Sequence, residues 1–272
     1  MMYQNLEILL NRDYILPLLG GRLGNNLFMI AHAYAKGLDY NKQVVIYKPH
    51  VQYHGNDYSQ NIFKKLEFTD VLEDSKNLNL AVPSDDQPTF YYGYYQSERY
   101  FERYSENIKN LFGPPAEFIN RIKQELPFIF EGDVTVINVR RGDYLHYPNY
   151  HPVITTEYIH KALEHIKNTR VYLIASDDLD WCKENIHLPN MHFLLGYTSE
   201  EQLWILSMCN NFVISNSSFS WWAAYLSRYR NKIVVAPQTW FGPDHVNSWQ
   251  DMYCHNWKIL PTYFENGLIK PK

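Results

Sequence analysis

Val134-Thr135-Val136-Ile137-Asn138-Val139-Arg140-Arg141-Gly142-Asp143-Tyr144 begins as an apolar run of strand type and ends in two adjacent arginines. The pattern returns further along the chain. Phe212-Val213-Ile214 runs into Asn216-Ser217-Ser218-Phe219-Ser220-Trp221-Trp222, a row of amide and hydroxyl groups. Each polar cluster stands where a buried strand ends, and in an open α/β sheet that is where ligands bind. Guanidinium groups and a hydroxyl-rich turn are suited to an anion, and a diphosphate is the natural candidate.

Working outward, strands alternate with helices through the second half of the chain. The pattern predicts strands over 134–139, 171–175, 191–194, 212–215 and 232–236, the last of them closing the series. Helices are expected over 156–167, after a cap at Ser176 or Asp177, and over 199–208 and 220–226. Such alternation implies a parallel sheet with right-handed crossovers. In the first half, a strand over 15–19 meets the glycine turn Gly20-Gly21-Arg22-Leu23-Gly24-Asn25. A helix follows with Leu27, Ile30, Ala31 and Tyr34 on one face, then a strand over 43–47. Residues 51–88 are weakly patterned, with a short helical piece at 62–66. A strand of Phe90–Tyr95 type precedes a helix capped by Ser97 and reaching about Leu111. Gly113-Pro114-Pro115 breaks that helix, and one more is expected over 116–126. Two α/β domains are expected, 1–125 and 126–272, joined near residues 113–132.

Bulk properties narrow the function. Hydrophobic residues are 46% of 272, so a sizeable core can form and disorder is not expected. The net charge of −4 argues against nucleic acid as the main partner, so any basic site is local, as Arg140-Arg141 is. Aromatic residues reach 16%, which suits either sugar faces or an aromatic core. Cys182, Cys209 and Cys254 have neither disulfide nor metal spacing, and a reducing compartment fits them. Met1–Asp13 has no apolar core of a signal peptide, and a cytoplasmic protein, or one peripheral to a membrane, is expected.

Each cluster has a plain alternative. The arginines could form a surface ion pair with Asp143. Successive strand residues point to opposite sides, so one arginine is expected to grip phosphate and the other to brace the loop. Ser218 or Ser220 could simply cap a helix, which is compatible with binding phosphate there. Asp177-Asp178 reads equally well as a helix cap, and no metal is assigned. His146 and His151 are acceptor-side candidates only. The Gly20–Asn25 turn lacks the G-x-G-x-x-G spacing of a dinucleotide site.

Six segments together resemble the α-1,2-fucosyltransferases of glycosyltransferase family 11. Gly21-Arg22-Leu23-Gly24-Asn25-Asn26-Leu27-Phe28 is similar to the family's G-x-LGNQ-x-F motif. Tyr92 to Phe101 resembles G-Y-x-Q-S-x-x-Y-F, and Val139 to Tyr144 resembles H-x-RRGDY. Ser176-Asp177-Asp178 with Trp181 matches SDD-x-x-W. Cys209 to Trp222 matches the NSSFSWW run, and Lys232 to Phe241 resembles K-x-V-x-AP-x-x-WF. The matches are collinear.

The resemblance implies a GT-B fold, two Rossmann-like domains facing a cleft. It implies a galactoside α-1,2-fucosyltransferase that inverts fucose from GDP-fucose onto the 2-hydroxyl of a galactose-containing glycan. No cofactor and no metal are implied; the partners are the donor and the glycan acceptor. Arg140 would stabilise the leaving diphosphate, Ser217, Ser218 and Phe219 would hold the phosphates, Asn216 would belong to the donor site, and Asp177 would stand near the nucleoside. Asn138, Arg22 and Asn25 join the donor set. Asp143 and Glu98 are the candidates for a catalytic base. The chain departs from the pattern at Asn138, where the family has histidine, at Asn26 for glutamine, and at Met29. An amide keeps a hydrogen bond but cannot take up a proton or a charge. Two alternatives therefore stand beside fucosyl transfer: a different nucleotide-sugar donor, or a binding protein of the same fold without turnover.

Overall fold

The computed structural model describes residues 14–17, 19–53, 56–70, 94–246 and 249–272. The chain divides into two compact units, Met1–Gly113 and Pro114–Lys272.

In the first unit, β1 (Tyr14–Ile15), β2 (Gln43–Tyr47) and β5 (Glu67–Thr69) form a parallel sheet in the order β1-β2-β5. Between them lie α1 (Leu23–Tyr40) and the antiparallel pair β3 (Gln52–Tyr53) and β4 (Asn56–Asp57). The expected face of α1 is buried at Leu27, Ile30 and Ala31, with Tyr34 half-buried. Asn41 ends the helix in left-handed conformation at φ 51°, its N–H returning to the Gly37 carbonyl. Residues 61–66 form turns rather than a helical piece, with Ile62 and Phe63 buried. The expected strand at 90–95 falls largely outside the described residues, as does Met1–Asp13.

The long helix expected from Ser97 is broken. Short 3-10 turns at Glu98–Tyr100 and Glu102–Tyr104 precede α2 (Ser105–Phe112). Phe101 is the reason. It takes φ −148° and ψ 9°, outside helical values, and its buried ring packs 6.3 Å from that of Phe28. Packing overrides local propensity here. Ser97 still caps the first turn, its Oγ accepting the Arg99 N–H at 3.4 Å.

The second unit begins with α3 (Ala116–Glu125), which the sequence reading assigned to the first domain. Phe118 of this helix lies 5.0 Å from the ring of Trp204, and Arg121 Nη2 meets Glu201 Oε1 at 2.5 Å. Both partners sit on a helix of the second unit, α6 below. Then follow β6 (Val134–Val139), β7 (Val153–Ile154), α4 (Thr156–Leu163), β8 (Val171–Ser176), α5 (Leu179–Asn185) and β9 (Met191–Phe193). After them come α6 (Ser199–Ser207), β10 (Asn211–Ile214), α7 (Ser218–Leu226) and β11 (Val234–Pro237). The series does not close there. β12 (Lys258–Leu260) extends the sheet, and β13 (Thr262–Glu265) and β14 (Leu268–Pro271) form a hairpin.

Six strands form one parallel sheet in the order β12-β11-β10-β6-β8-β9. Numbered by chain order this is 3-2-1-4-5-6 read from the β9 edge, the doubly wound order. Every residue of β6, β10 and β11 is buried, as a sheet covered on both faces requires. One face packs Ile137, Val139, Ile174, Val213 and Val235 against Tyr158, Ile159 and Cys182. Cys182, Cys209 and Cys254 are all buried. The hairpin turns through Asn266 at φ 49° and Gly267 at φ 81°, and β14 pairs in parallel with β7. Among the described residues, no helix is long and apolar enough to cross a membrane.

Candidate active site

The chain reverses its direction of winding between β6 and β10, which are neighbours in the sheet. At such a switch point the two following loops diverge and leave a crevice at the strands' carboxyl ends. The loop after β6 carries Arg140 to Tyr144. The turn after β10 carries Ser215 to Ser217, and the loop after β8 carries Asp177 and Asp178.

These residues form one charge network. Arg140 Nη1 lies 3.1 Å from Asp177 Oδ2, and its Nη2 is held by Asp143 Oδ1. Its guanidinium also lies 5.4 Å from the Tyr144 ring centroid. Arg141 points elsewhere, its Nε 3.1 Å from Asp178 Oδ2 and its guanidinium 4.1 Å over Trp181. Arg141 thereby ties the loop after β6 to the start of α5. Asp177 Oδ1 accepts the Arg141 backbone N–H at 2.9 Å, so this carboxylate locks the loop after β6 to the end of β8. Gly142 packs directly on it: a Cβ there would overlap Asp177 Oδ2. Asp178 is the N-cap of α5, accepting the Trp181 N–H at 3.2 Å.

At the second cluster the capping alternative is reassigned. Ser217, not Ser218 or Ser220, holds the N-cap position of α7, and its side chain makes no capping hydrogen bond. The first turn of a helix leaves its N–H groups without intrahelical partners, here those of Ser218, Phe219 and Ser220. Ser220 faces inward, its Oγ bonded to Asn138 Oδ1 and 3.0 Å from Ser215 Oγ. Asn138 is 5% exposed and also donates from Nδ2 to the Ala175 carbonyl at 3.3 Å. Its amide therefore ties β6 to β8 and α7 from within. Asn216 is 1% exposed; its Nδ2 donates to the carbonyls of Pro152 at 2.9 Å and Trp240 at 2.8 Å. The Asn216 carbonyl accepts from the Tyr144 hydroxyl at 3.2 Å. Asn216 thus fastens the loops after β6 and β11 to the turn after β10. The same side chain lies in an Asn-Ser-Ser glycosylation sequon, which burial closes to modification.

An aromatic wall continues from Tyr144. His151 stacks on it at 4.4 Å and meets Tyr150 edge-on at 4.6 Å; Tyr150 leads to Phe241 and His245, which stack at 3.7 Å. Burial, with Arg140 and His245 adding to it against the opposing pull of Asp143, pushes the His151 pKa down to about 4, so the ring is neutral at physiological pH. The loop carrying His151 is buttressed by the C-terminal hairpin: Val153 N–H reaches the Gly267 carbonyl at 2.9 Å. Sequence reasoning missed this hairpin, although Asn266-Gly267 between two apolar stretches is a strong two-residue turn signal.

Arg22, Asn25 and Glu98 belong to the first unit. Arg22 stands exposed at the N-cap of α1, and Asn25 Oδ1 accepts from Gln96 Nε2 at 2.8 Å. Gly21, at φ 77°, lies so close that a Cβ would come 2.5 Å from Asn25 Nδ2. Glu98 is half-buried in the turn that Ser97 caps.

The second unit is thus a doubly wound α/β sheet with the Arg140 loop and the α7 N-terminus at the carboxyl ends of the neighbouring strands β6 and β10. The chain belongs to glycosyl transferase family 11, whose model matches residues 17–261. It is similar to an α-1,2-colitosyltransferase of Escherichia coli, 27% identical over 85% of this chain and 93% of that protein. It is also similar to galactoside α-(1,2)-fucosyltransferase 2 of Rattus norvegicus, 29% identical over 39% of this chain and 32% of that protein. A crystal structure of NodZ α-1,6-fucosyltransferase soaked with GDP-fucose aligns with a TM-score of 0.44 at 12% identity, over 75% of this chain and 89% of that one.

Proposed function

We propose that this chain is an inverting, metal-independent GT-B glycosyltransferase that moves L-fucose from GDP-fucose to the 2-hydroxyl of a galactose-containing glycan. The observation that carries the reading is the placement of the Arg140 loop and the α7 N-terminus at the ends of the neighbouring strands β6 and β10, in a chain of family 11. The acceptor hydroxyl attacks the fucose anomeric carbon, the bond from that carbon to the diphosphate oxygen breaks, and GDP leaves with the electron pair. Arg140 and the N–H groups of Ser218 and Phe219 meet the charge that develops on the diphosphate. The Ser217 hydroxyl, uncommitted to capping, adds a donor. The hydroxyl proton passes to a carboxylate, with Asp143 and Glu98 as candidates.

A second donor is favoured by one observation. The α-1,2-colitosyltransferase aligns along most of its own length, whereas the fucosyltransferase 2 match covers about a third. A colitosyl donor is therefore the alternative. The deciding assay is GDP release from GDP-fucose, with and without lactose and with EDTA present. Lactose-stimulated release that EDTA leaves unchanged supports fucosyl transfer. Absence of release, with turnover of a colitosyl donor under the same conditions, replaces fucose by colitose.

A further inference from the structure

We infer that Asp177 is a positioning residue: its carboxylate acts on the diphosphate through Arg140, and Gly142 is the space which that carboxylate needs. The inference rests on the reading of Arg140 as the diphosphate anchor, and it assigns Asp177 to the arginine rather than to the nucleoside.

β6 and β8 are neighbours in the sheet, with Val139 level with Ser176. Arg140 and Asp177 are the next residue of each strand. The register therefore sets a cation beside an anion at the carboxyl ends of two strands. Asp177 meets the arginine loop twice. Its Oδ1 accepts the Arg141 backbone N–H at 2.9 Å, and its Oδ2 pairs with Arg140 Nη1 at 3.1 Å. One carboxylate thus ties both the backbone of this loop and the guanidinium it carries to the end of β8. Asp143, which holds Nη2, stands three residues on from Arg140 in the same loop. A guanidinium has five N–H groups, so two single-atom contacts leave others to meet phosphate oxygens.

Gly142 supplies a second observation. Its backbone is not in the left-handed region, so conformation does not call for glycine at this position. Space does. A Cβ would overlap Asp177 Oδ2, and that oxygen is the one paired with Arg140.

An arginine side chain left unheld must be ordered when phosphate arrives, and the lost freedom weakens binding. A misaimed guanidinium also forfeits paired, charge-assisted bonds to phosphate. Charge counting alone gives the opposite sign, because deleting an anion beside an anion site favours the ligand. The two accounts therefore part on one substitution. Asp177→Asn can keep Oδ1 on the Arg141 N–H while setting an amide nitrogen where Oδ2 faces Arg140.

Calorimetric titration of the full chain with GDP measures this variant, and ligand-observed NMR titration extends the range to the weak binder Arg140→Met. Asp177→Asn is expected to raise the GDP Kd at least about tenfold. On the Arg140→Met background the same change is expected to alter Kd by less than about twofold, since the group it acts through is gone. The double variant removes both members of the pair, so this comparison stands even if Asp177→Asn alone loses its fold. Unchanged or tighter binding by a folded Asp177→Asn overturns the inference, because charge and not position would then govern the site. A further tenfold loss on the Arg140→Met background overturns it in another way, since Asp177 would then touch the nucleotide itself. If Arg140→Met binds GDP as the wild type does, the diphosphate reading beneath the inference fails.

Discussion

The Asn138 amide spans three elements, giving its N–H to Ala175 at the end of β8 and accepting the Ser220 hydroxyl from α7. Asn138→Asp leaves the size unchanged but turns an acceptor toward the Ala175 carbonyl. In so buried a position the loss is expected to be about 1–3 kcal/mol, read as a lower urea midpoint at unchanged slope. A variant as stable as wild type would mean that the amide does not clamp these elements. The residue also shows what was legible at this scale. Arg140, Asp177 and Ser217 stand out because charged and hydroxyl groups gather directly after apolar runs. Asn138 also stood out, but as a departure in the donor set, and its bonding to Ala175 and Ser220 could not be read. Those partners lie 37 and 82 positions away, and only the sheet register brings them within reach.

At the scale of elements, the turn Arg141-Gly142-Asp143 and the helix α7 each depend on one distant group. Gly142→Ala is expected to push Asp177 off Arg140, weakening GDP binding about tenfold or more, with the circular dichroism spectrum retained. Normal affinity would show that the turn accommodates a Cβ without moving Asp177. The C-terminal end of α7 is closed by Lys232, whose Nζ donates to the carbonyls of Ala224 at 2.7 Å, Tyr225 at 3.2 Å and Ser227 at 2.6 Å. A cation there also favours the negative end of the helix dipole. Lys232→Met keeps the stem and removes the ammonium. The cost of about 2 kcal/mol should lower Tm by about 4–8 °C, and an unchanged Tm would reduce Lys232 to a surface residue. The strands and helices of the second half were readable because their periods are regular and their caps ordinary. The helix after Ser97 was not, because Phe101 leaves the helical region to bury its ring. The final hairpin carried its own signal in Asn266-Gly267, and its four-residue strands are too short for periodicity to announce.

For the whole molecule, alternation of strands and helices implies a parallel sheet, but not which strands are neighbours. The placement of the Arg140 loop beside the turn that leads into α7 follows from β10 lying beside β6, a fact of topology rather than of local sequence. Each unit also carries a neutral histidine, buried in the first and half-buried in the second, and this makes the stability of the molecule acid-sensitive. His32 in the first unit is 8% exposed, stacked 4.1 Å from Tyr95, and burial lowers its pKa to about 4, with Lys36 adding to the effect. His151 in the second unit is lowered to about 4 for the reasons given above. A lowered histidine pKa means that the unfolded chain binds the proton first. The stabilisation is complete above the unfolded value near 6.5 and is lost as pH falls from there to about 4. Full loss at His32 amounts to about 3 kcal/mol at most; the less buried His151 contributes less. Urea unfolding at pH 7.5, 6 and 5 should therefore show a progressive fall. His32→Gln, which keeps an N–H for the Tyr100 backbone but cannot be charged, should shrink that fall. If wild type and His32→Gln lose stability in parallel across this window, protonation of His32 is not what destabilises the fold in acid.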